Sequence, residues 1–426
     1  MDYTQNNKIS QVTETTLIVG VDIGSETNYA RTFNWRGQEL SRKVFRFNNS
    51  LEGFQSFLAY LSKHMTIASA KQVIVGCEPT GHYWFNLARY LEEHQIKLAL
   101  VNPYHVKQTK ELDDNCPKKT DLKDPKIIAK LVVDGRYSYP YLPEGIYADL
   151  REAVSSRERI VKELNAITNR IKRWLKIYFP EYLVVYRNFS AESGLTVLET
   201  APLPQDIMLL GAEGVNKLWR EKKLRAVGMK RAKTLVEAAH NSIGLSGGTC
   251  ARMELQLLLE DFRTKQRQLE KITEELEKEA LNVPYADKLL AIKGVGLITV
   301  AGFLAEVGDI RRFDSPKQIQ KLAGLELKEN SSGKHRGRSS ISKRGRKRLR
   351  KILFQVMLPM IQNNAELCEI YQYFTTRQKN PLTGKQAIIA AGCKLIRVFY
   401  TILKNGVDYD PQKLRSDIVR PMLAAA

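Results

Sequence analysis

Four carboxylates in the first third of this 426-residue chain, Asp22, Glu78, Asp121 and Asp124, are of the type and placement that hold magnesium in a nuclease. Asp22 follows the apolar run Leu17-Ile-Val-Gly-Val21, and Glu78 follows Val73-Ile-Val-Gly-Cys77. Both runs are rich in β-branched residues and read as buried strands. A carboxylate at the end of a buried strand is costly unless something pairs with it. Asp121 and Asp124 stand three apart at a predicted helix start, where their side chains can share one face. Pro125 restricts the residue before it to extended geometry, which favours Asp124 as the N-cap with Pro125 at the first helical position. Magnesium prefers hard oxygen ligands, and two ions clamping a phosphodiester need carboxylates from several elements. The chemistry implied is phosphoryl transfer on nucleic acid.

A second group of residues lies near the other end of the chain. In Leu289-Leu-Ala-Ile-Lys-Gly-Val-Gly296 the glycines permit a tight hairpin, and apolar positions on both sides give a helix–hairpin–helix pattern. Backbone N–H groups of such a hairpin, here around Lys293, Gly294 and Gly296, can bond a DNA phosphate without reading sequence. Ten Lys/Arg and no acid fall between Lys334 and Lys351. Lys334, Arg336, Arg338, Lys343, Arg344, Arg346 and Arg350 in that run are candidate phosphate contacts. Ser332 precedes Gly333 in the same basic loop, so its hydroxyl can face a phosphate. A serine in a basic loop is by itself an ordinary polar loop residue, and Ser331 stands beside it. His82 and His335 belong to no zinc-ligand spacing.

These residues need elements to position them. Residues 1–139 alternate strand and helix patterns: strands at 17–23, 29–35, 40–47, 73–77 and 98–101, with helices at 51–61 and 84–93. The order predicts a mixed sheet with helices on its faces, and places Asp22 and Glu78 near adjacent strand ends. From about Leu150 the pattern becomes long helices. Val161, Leu164, Ile167, Ile171, Trp174 and Tyr178 recur at spacings of three and four until Pro180, and Leu258, Phe262, Leu269, Ile272 and Leu276 repeat the period. Two such helices can pair within the chain or across a dimer. Between them, at about 184–250, lies a helical insertion whose purpose the sequence does not reveal. Three domains are therefore expected: 1–139, 140–284 and 285–426.

Charge follows the same division. The chain carries a net +21, and residues 285–426 hold 26 Lys/Arg against 11 Asp/Glu, a net +15, whereas residues 1–139 are close to neutral. So uneven a distribution points to a polyanion held by the C-terminal third. The five cysteines form no C-x-x-C pair, as expected of reduced thiols in a cytosolic protein. The start, Met1-Asp-Tyr-Thr-Gln-Asn-Asn, lacks the features of a signal peptide. The most apolar stretch, Ala387–Leu403, is interrupted by Lys394 and Arg397 and reads as a core helix, so no membrane association is expected.

In order along the chain stand Gly20-Val-Asp-Ile-Gly24, Cys77-Glu-Pro-Thr-Gly-His-Tyr83, Val101-Asn-Pro103, Lys119-Thr-Asp-Leu-Lys-Asp124, Lys293-Gly-Val-Gly296, Leu322-Ala-Gly-Leu325, Ser332-Gly333 and Ser342-Lys-Arg-Gly345 with Leu349-Arg350. This set resembles the DEDD transposases of bacterial insertion sequences, the bridge RNA-guided recombinases. The resemblance implies a RuvC-like (RNase H-type) α/β domain carrying the tetrad Asp22, Glu78, Asp121 and Asp124, with one or two Mg²⁺ per site. It also implies an α-helical coiled-coil middle and a mainly α C-terminal transposase domain whose nucleophilic serine falls on Ser332, with Ser331 as the rival. The partners it implies are target and donor DNA, a non-coding bridge RNA and further copies of the chain, dimers assembling to a tetramer, in a bacterial cytoplasm and acting at the nucleoid. Two features depart from the family pattern: Pro125, where alanine is common, and the long insertion at 184–250. The rival readings are a junction or flap nuclease in which the tetrad activates water, and an RNA-bound architectural protein with no chemistry. Val21-Asp-Ile-Gly-Ser25 also suits a phosphate loop of an actin-like ATPase, but no second matching loop follows.

Overall fold

The computed structural model describes residues 5–41, 43–113, 124–328, 331–332, 335–336 and 340–416. The chain forms two compact units, residues 1–143 and 144–426.

The first unit is built on a six-stranded sheet. After a short helix α1 (Gln5–Ile9) come β1 (Thr16–Asp22), β2 (Thr27–Phe33) and β3 (Phe45–Asn48), then α2 (Leu51–Ile67), β4 (Gln72–Cys77), α3 (Trp84–Glu93), β5 (Lys97–Val101), α4 (Pro103–Asp113), α5 (Asp124–Val133) and β6 (Tyr137–Ser138). The strand order is β3-β2-β1-β4-β5-β6; β1, β4 and β5 run parallel and the other pairs are antiparallel. A mixed sheet with helices on its faces is compatible with the RuvC-like expectation.

Strand alternation assigns each residue to a layer. Leu17, Val19, Val21, Val73, Val75 and Cys77 face α2 and α3, packing with Phe54, Phe57, Leu61, Leu87 and Leu91. Ile18 and Ile74 face the other way and pack with Ile127, Ile128, Leu131 and Val132 of α5. Burial on both faces is why β1 and β4 read as unbroken apolar runs. Ser50 caps α2 by accepting the Gly53 N–H at 3.1 Å. The strand expected over 40–47 is shorter than expected: Thr32 N–H donates to the Ser41 hydroxyl (3.2 Å), so a buried side chain replaces a ladder bond and pairing resumes at Phe45.

The second unit contains two long helices, α6 (Ile146–Tyr178) and α11 (Thr249–Leu281), each of 33 residues. They pair with one another inside the chain. Lys265 meets Glu163 at 2.6 Å, Arg157 Nε donates to Thr273 Oγ1, and Trp174 Nε1 donates to the Ala251 carbonyl at 2.8 Å. Late residues of one thus meet early residues of the other, so the pair is antiparallel.

Both helices take part in two separate cores. At one end Ile167, Ile171, Trp174, Leu175, Leu255, Leu259 and Phe262 pack with the insertion, which folds as α7 (Tyr182–Val185), α8 (Glu192–Thr200), α9 (Pro204–Glu221) and α10 (Met229–His240). This cap is stabilised by a large aromatic load, including Phe179, Tyr182, Tyr186, Phe189 and Trp219, all at most 2% exposed. At the other end Leu150, Ala153, Val154, Leu276 and Ala280 join the C-terminal core.

That core comprises α12 (Ala286–Leu290), α13 (Leu297–Val307), a 3₁₀ turn (Ile310–Arg312), α14 (Pro316–Leu322), α15 (Lys347–Asn363), α16 (Ala365–Thr376), α17 (Gly384–Asn405) and α18 (Pro411–Ser416). By length and composition α17 resembles a membrane span. Its apolar residues, among them Leu395, Ile396, Phe399 and Ile402, are buried in this core, as expected of the stretch from Ala387 to Leu403. Between α14 and α15 run two small antiparallel ladders, β7 (Leu327–Lys328) with β10 (Ser340–Ile341), and β8 (Ser331–Ser332) with β9 (His335–Arg336).

Candidate functional site

The acidic site of the first unit is created by a pair of glycines. Gly20 of β1 and Gly76 of β4 are register partners, and both lie on the α5 face. A Cβ on Gly20 would overlap the Pro125 carbonyl oxygen and reach the Ala129 nitrogen at 3.1 Å; one on Gly76 would meet Val132 Cγ2 at 2.5 Å. The missing side chains let the first turn of α5 settle against the sheet. Two residues further along each strand, on that same face, come Asp22 and Glu78. Since Val21 pairs with Cys77, the two carboxylates leave the sheet side by side, and Asp124 arrives at the start of α5. Asp124 opens α5 as its first residue and Pro125 follows, within one position of the expected N-cap.

The Glu78 carboxyl is held above its ordinary range by burial and by the neighbouring Asp124 charge, while Lys110 pulls the other way. Lys110, projecting from α4, forms an ion pair with Asp124 at 2.5 Å (Nζ to Oδ1). The loop after Asp22 is fixed by two asparagines: Gly24 N–H donates to Asn28 Oδ1, Asn28 Nδ2 to Asn49 Oδ1, and Asn49 Nδ2 to the Gly24 and Ser25 carbonyls. Sequence reading missed Lys110, Asn28 and Asn49, since each is an unremarkable surface-type residue until the fold brings it to the strand ends.

Asp121 lies outside the described residues. Among the described residues no three His, Cys, Asp or Glu side chains stand close enough to hold a metal ion as they are, and at Asp124 an ammonium provides the neighbouring positive charge. The donor set nevertheless suits a hard divalent cation: carboxylate oxygens from separate elements, with mutual repulsion between Glu78 and Asp124 that a cation would relieve. His82 is exposed, with its ring tilted against that of Tyr83 at 4.6 Å, and it belongs to no metal-ligand group among the described residues.

In the second unit the serine segment rises from an interlocked base. Lys343 N–H donates to the Gly324 carbonyl (3.0 Å), Ser342 N–H to Glu326 (2.7 Å) and Arg346 N–H to Leu322 (2.7 Å). Gly324 has φ +69°, and a Cβ there would press on Arg350 and the Lys343 backbone at about 3 Å. The segments Leu322-Ala-Gly-Leu325 and Ser342-Lys-Arg-Gly345 are therefore two halves of one clamp, with the β7–β10 ladder beyond it. Further out Ser332 pairs with His335 and Ser331 with Arg336 in backbone register. Lys334 and Arg338 lie outside the described residues.

The basic run divides into two kinds of residue. Arg350 donates to the Ala323 carbonyl at 2.8 Å and faces that of Lys343 at 3.4 Å, so its guanidinium binds the clamp together. Arg346 and Arg348 meet the buried Glu306 of α13 at 3.4 and 3.5 Å, and Arg348 also reaches Glu158 of α6 at 2.9 Å. The run contains no acid, but acids from distant helices reach it in space. Lys343 and Arg344 are exposed, as is Lys293 in the turn between α12 and α13. In that turn Gly294 has φ +93° and packs on Met360, while a side chain on Gly296 would meet open space.

Comparison with known proteins gives two family matches. Residues 19–180 match the DEDD-type model described as "Transposase", and residues 286–372 match "Transposase IS116/IS110/IS902 family". A putative transposase of Sinorhizobium fredii is 25% identical over 209 residues, which span 48% of this chain and 56% of that protein. The transposase for insertion sequence element IS1111A of Coxiella burnetii is 24% identical over 308 residues, 71% of this chain and 70% of its own length. The pilin gene-inverting protein of Moraxella bovis is 23% identical over 374 residues, 85% of this chain and 89% of its own.

Proposed function

The chain belongs to the DEDD transposases of insertion sequences, and on that premise we propose that it cleaves, exchanges and rejoins DNA strands under the guidance of a bridge RNA, through a covalent phosphoserine intermediate on Ser332. The observation that carries the metal-dependent half of this reading is the placement of Asp22 and Glu78 at neighbouring strand ends with Asp124 coupled to Glu78. Asp22, Glu78, Asp124 and Asp121 are the residues assigned to hold one or two Mg²⁺. A cation held by them would supply charge neutralisation at the scissile phosphate and at the departing oxygen.

Ser332 Oγ forms the new bond to phosphorus as the bond to the 3′ oxygen breaks, leaving a 3′-hydroxyl on one strand and a phosphoserine ester on the other. Attack on that ester by the 3′-hydroxyl of the second DNA restores the serine hydroxyl and joins the strands. One phosphoester replaces another at each step, so no nucleotide cofactor is required. The clamp formed by Gly324, Lys343 and Arg350 holds the base of the serine segment, which is what a positioned nucleophile needs. Lys293, Gly294, Gly296, Lys334, Arg336, Arg338, Lys343 and Arg344 are assigned to backbone phosphates, making binding strongly salt-dependent. Target and donor DNA, the RNA and further copies of the chain, as dimers assembling to a tetramer, complete the reacting assembly.

The test mixes the purified protein, RNA transcribed from the flank of its element, matching DNA and Mg²⁺, and looks for a denaturation-resistant protein–DNA adduct. Wild type and Ser331→Ala are expected to form it, and Ser332→Ala is expected to bind nucleic acid without forming it. Cleaved DNA with no adduct in any variant would replace this reading with a water-using nuclease.

A further inference from the structure

The cap formed by α7 to α10 has no part in the chemistry above, and its charge is unevenly placed. Between Lys217 and Lys233 it carries eight Lys/Arg and one acid, Glu221, and all eight cations are exposed. Four are engaged locally. Lys217 meets Glu221 at 3.9 Å and Lys222 meets Glu199 at 3.1 Å. Arg231 donates to the Val185 carbonyl and lies 4.6 Å over the Tyr186 ring. Arg220 donates to the carbonyls of Leu224 and Val227, so the loop between α9 and α10 is wrapped around its guanidinium.

The other four, Lys223, Arg225, Lys230 and Lys233, make no ion pair among the described residues. The loop that presents the first two is a built structure: Lys223 and Ala226 both hold left-handed backbone, at φ +53° and +62°. Neither is glycine, so Arg220 and the packing of Leu224 and Val227 on the cap core must hold them there. Lys230 and Lys233 lie three apart on α10 and are neighbours on one face. Glu237 follows one turn after Lys233 on α10 but forms no ion pair with it, and like charges held this close repel one another, a cost that a polyanion removes.

We propose that this face of the cap is a second nucleic-acid-binding site, taking the phosphodiester backbone of a double helix. The aromatic residues of the cap are inside it, Trp219, Tyr186 and Phe189 being at most 2% exposed. No aromatic platform for unstacked bases is therefore offered, which excludes the stacking mode of single-strand binding and leaves backbone contact by Lys and Arg. The cap sits at the far end of a 33-residue helix from the C-terminal core, a helix about 50 Å long at 1.5 Å per residue. It therefore contacts a different stretch of the assembly from the serine segment. The inference rests on the nucleic-acid reading of the chain but not on its serine or metal chemistry.

The test uses the full chain with Lys223, Arg225, Lys230 and Lys233 changed together to alanine, and measures anisotropy of a labelled DNA duplex and a labelled RNA duplex over a range of salt. Affinity at low salt should fall roughly tenfold or more for at least one duplex, and the slope of log K against log salt should drop by about 0.9 for each cation that meets a phosphate. Which duplex responds identifies the natural ligand. A charge-keeping variant, with the three lysines changed to arginine, should bind as wild type does. Unchanged affinity and slope for both duplexes would overturn the site, as would equal loss in the charge-keeping variant, which would trace the effect to shape instead of charge. Failure of the serine chemistry would leave this assay untouched, because it reads duplex binding alone and involves no cleavage.

Discussion

Lys110 Nζ lies 2.5 Å from Asp124 Oδ1, so the acidic cluster of the first unit contains its own counter-cation. Both side chains are partly solvent-exposed, at 36% and 20%, so the pair is weak in stability terms. Its consequence is competition, since a divalent cation and an ammonium seek the same carboxylate. Lys110→Ala should strengthen divalent-cation binding roughly three- to tenfold, and should lower the melting temperature when metal is withheld. Calorimetric titration with Mg²⁺ or Mn²⁺, with melts in chelator, checks both effects. Weaker metal binding in the variant would instead make Lys110 a support for the site.

Glu78 supplies a pH dependence. Burial, reinforced by Asp124 and opposed by Lys110, raises its carboxyl above the ordinary value of 4.5. The fold then binds a proton that the unfolded chain has already released. This contribution to stability is complete below the unfolded value and is lost as pH climbs through the folded one. In chelator, the melting temperature should therefore decline as pH rises from 4.5, and Glu78→Gln should flatten the decline. Added divalent cation should reverse the trend, because it binds the carboxylate and expels the proton.

Gly20→Ala tests the close approach of α5 to the sheet. The added methyl meets backbone and not a flexible side-chain end, so α5 must lift. A loss of roughly 2–3 kcal/mol is expected in urea denaturation, with divalent-cation binding weakened because Asp124 moves with its helix. Gly37→Ala makes a useful control, since a side chain there meets nothing within 4 Å, although its φ of +80° carries a strain of its own.

Arg350 and Lys343 separate structure from binding in the basic run. Arg350→Ala leaves the Ala323 carbonyl without its guanidinium donor and should cost about 2 kcal/mol of stability. Its folded fraction should keep the wild-type salt slope for DNA. Lys343→Ala should leave stability nearly unchanged and reduce that slope by about 0.9. The opposite pattern would mean that the clamp is held by something other than the guanidinium.

The fold was legible wherever local pattern and burial agreed. The runs ending at Asp22 and Glu78 announce β1 and β4 because helices cover both faces of those strands. The spacing of Ile167, Ile171 and Trp174 announces α6 for a similar reason. Illegible were features that depend on distant partners. Ser41 ends a ladder by supplying a hydroxyl to Thr32, and β6 is two residues long. Glu306 neutralises Arg346 and Arg348 from about forty positions away, so a segment that reads as uniformly basic is partly an internal network. Lys110 reads as any helical lysine until α4 and α5 come together. The pairing of the long helices was open in sequence because an apolar stripe suits a partner in the same chain or in another. It is decided by Trp174 reaching Ala251 and Lys265 reaching Glu163.

The unbroken run of α6 sets a phase relation between the two ends of the second unit. Leu150 and Val154 lie in one core and Ile171 and Trp174 in the other, on a single helix without an intervening loop. One residue added to the middle of both α6 and α11 would turn the cap by about 100° and carry it about 1.5 Å outward, whereas seven would return it nearly to its original bearing. The cap is thus aimed by residue count, and its length and heading can be dialled independently of either core.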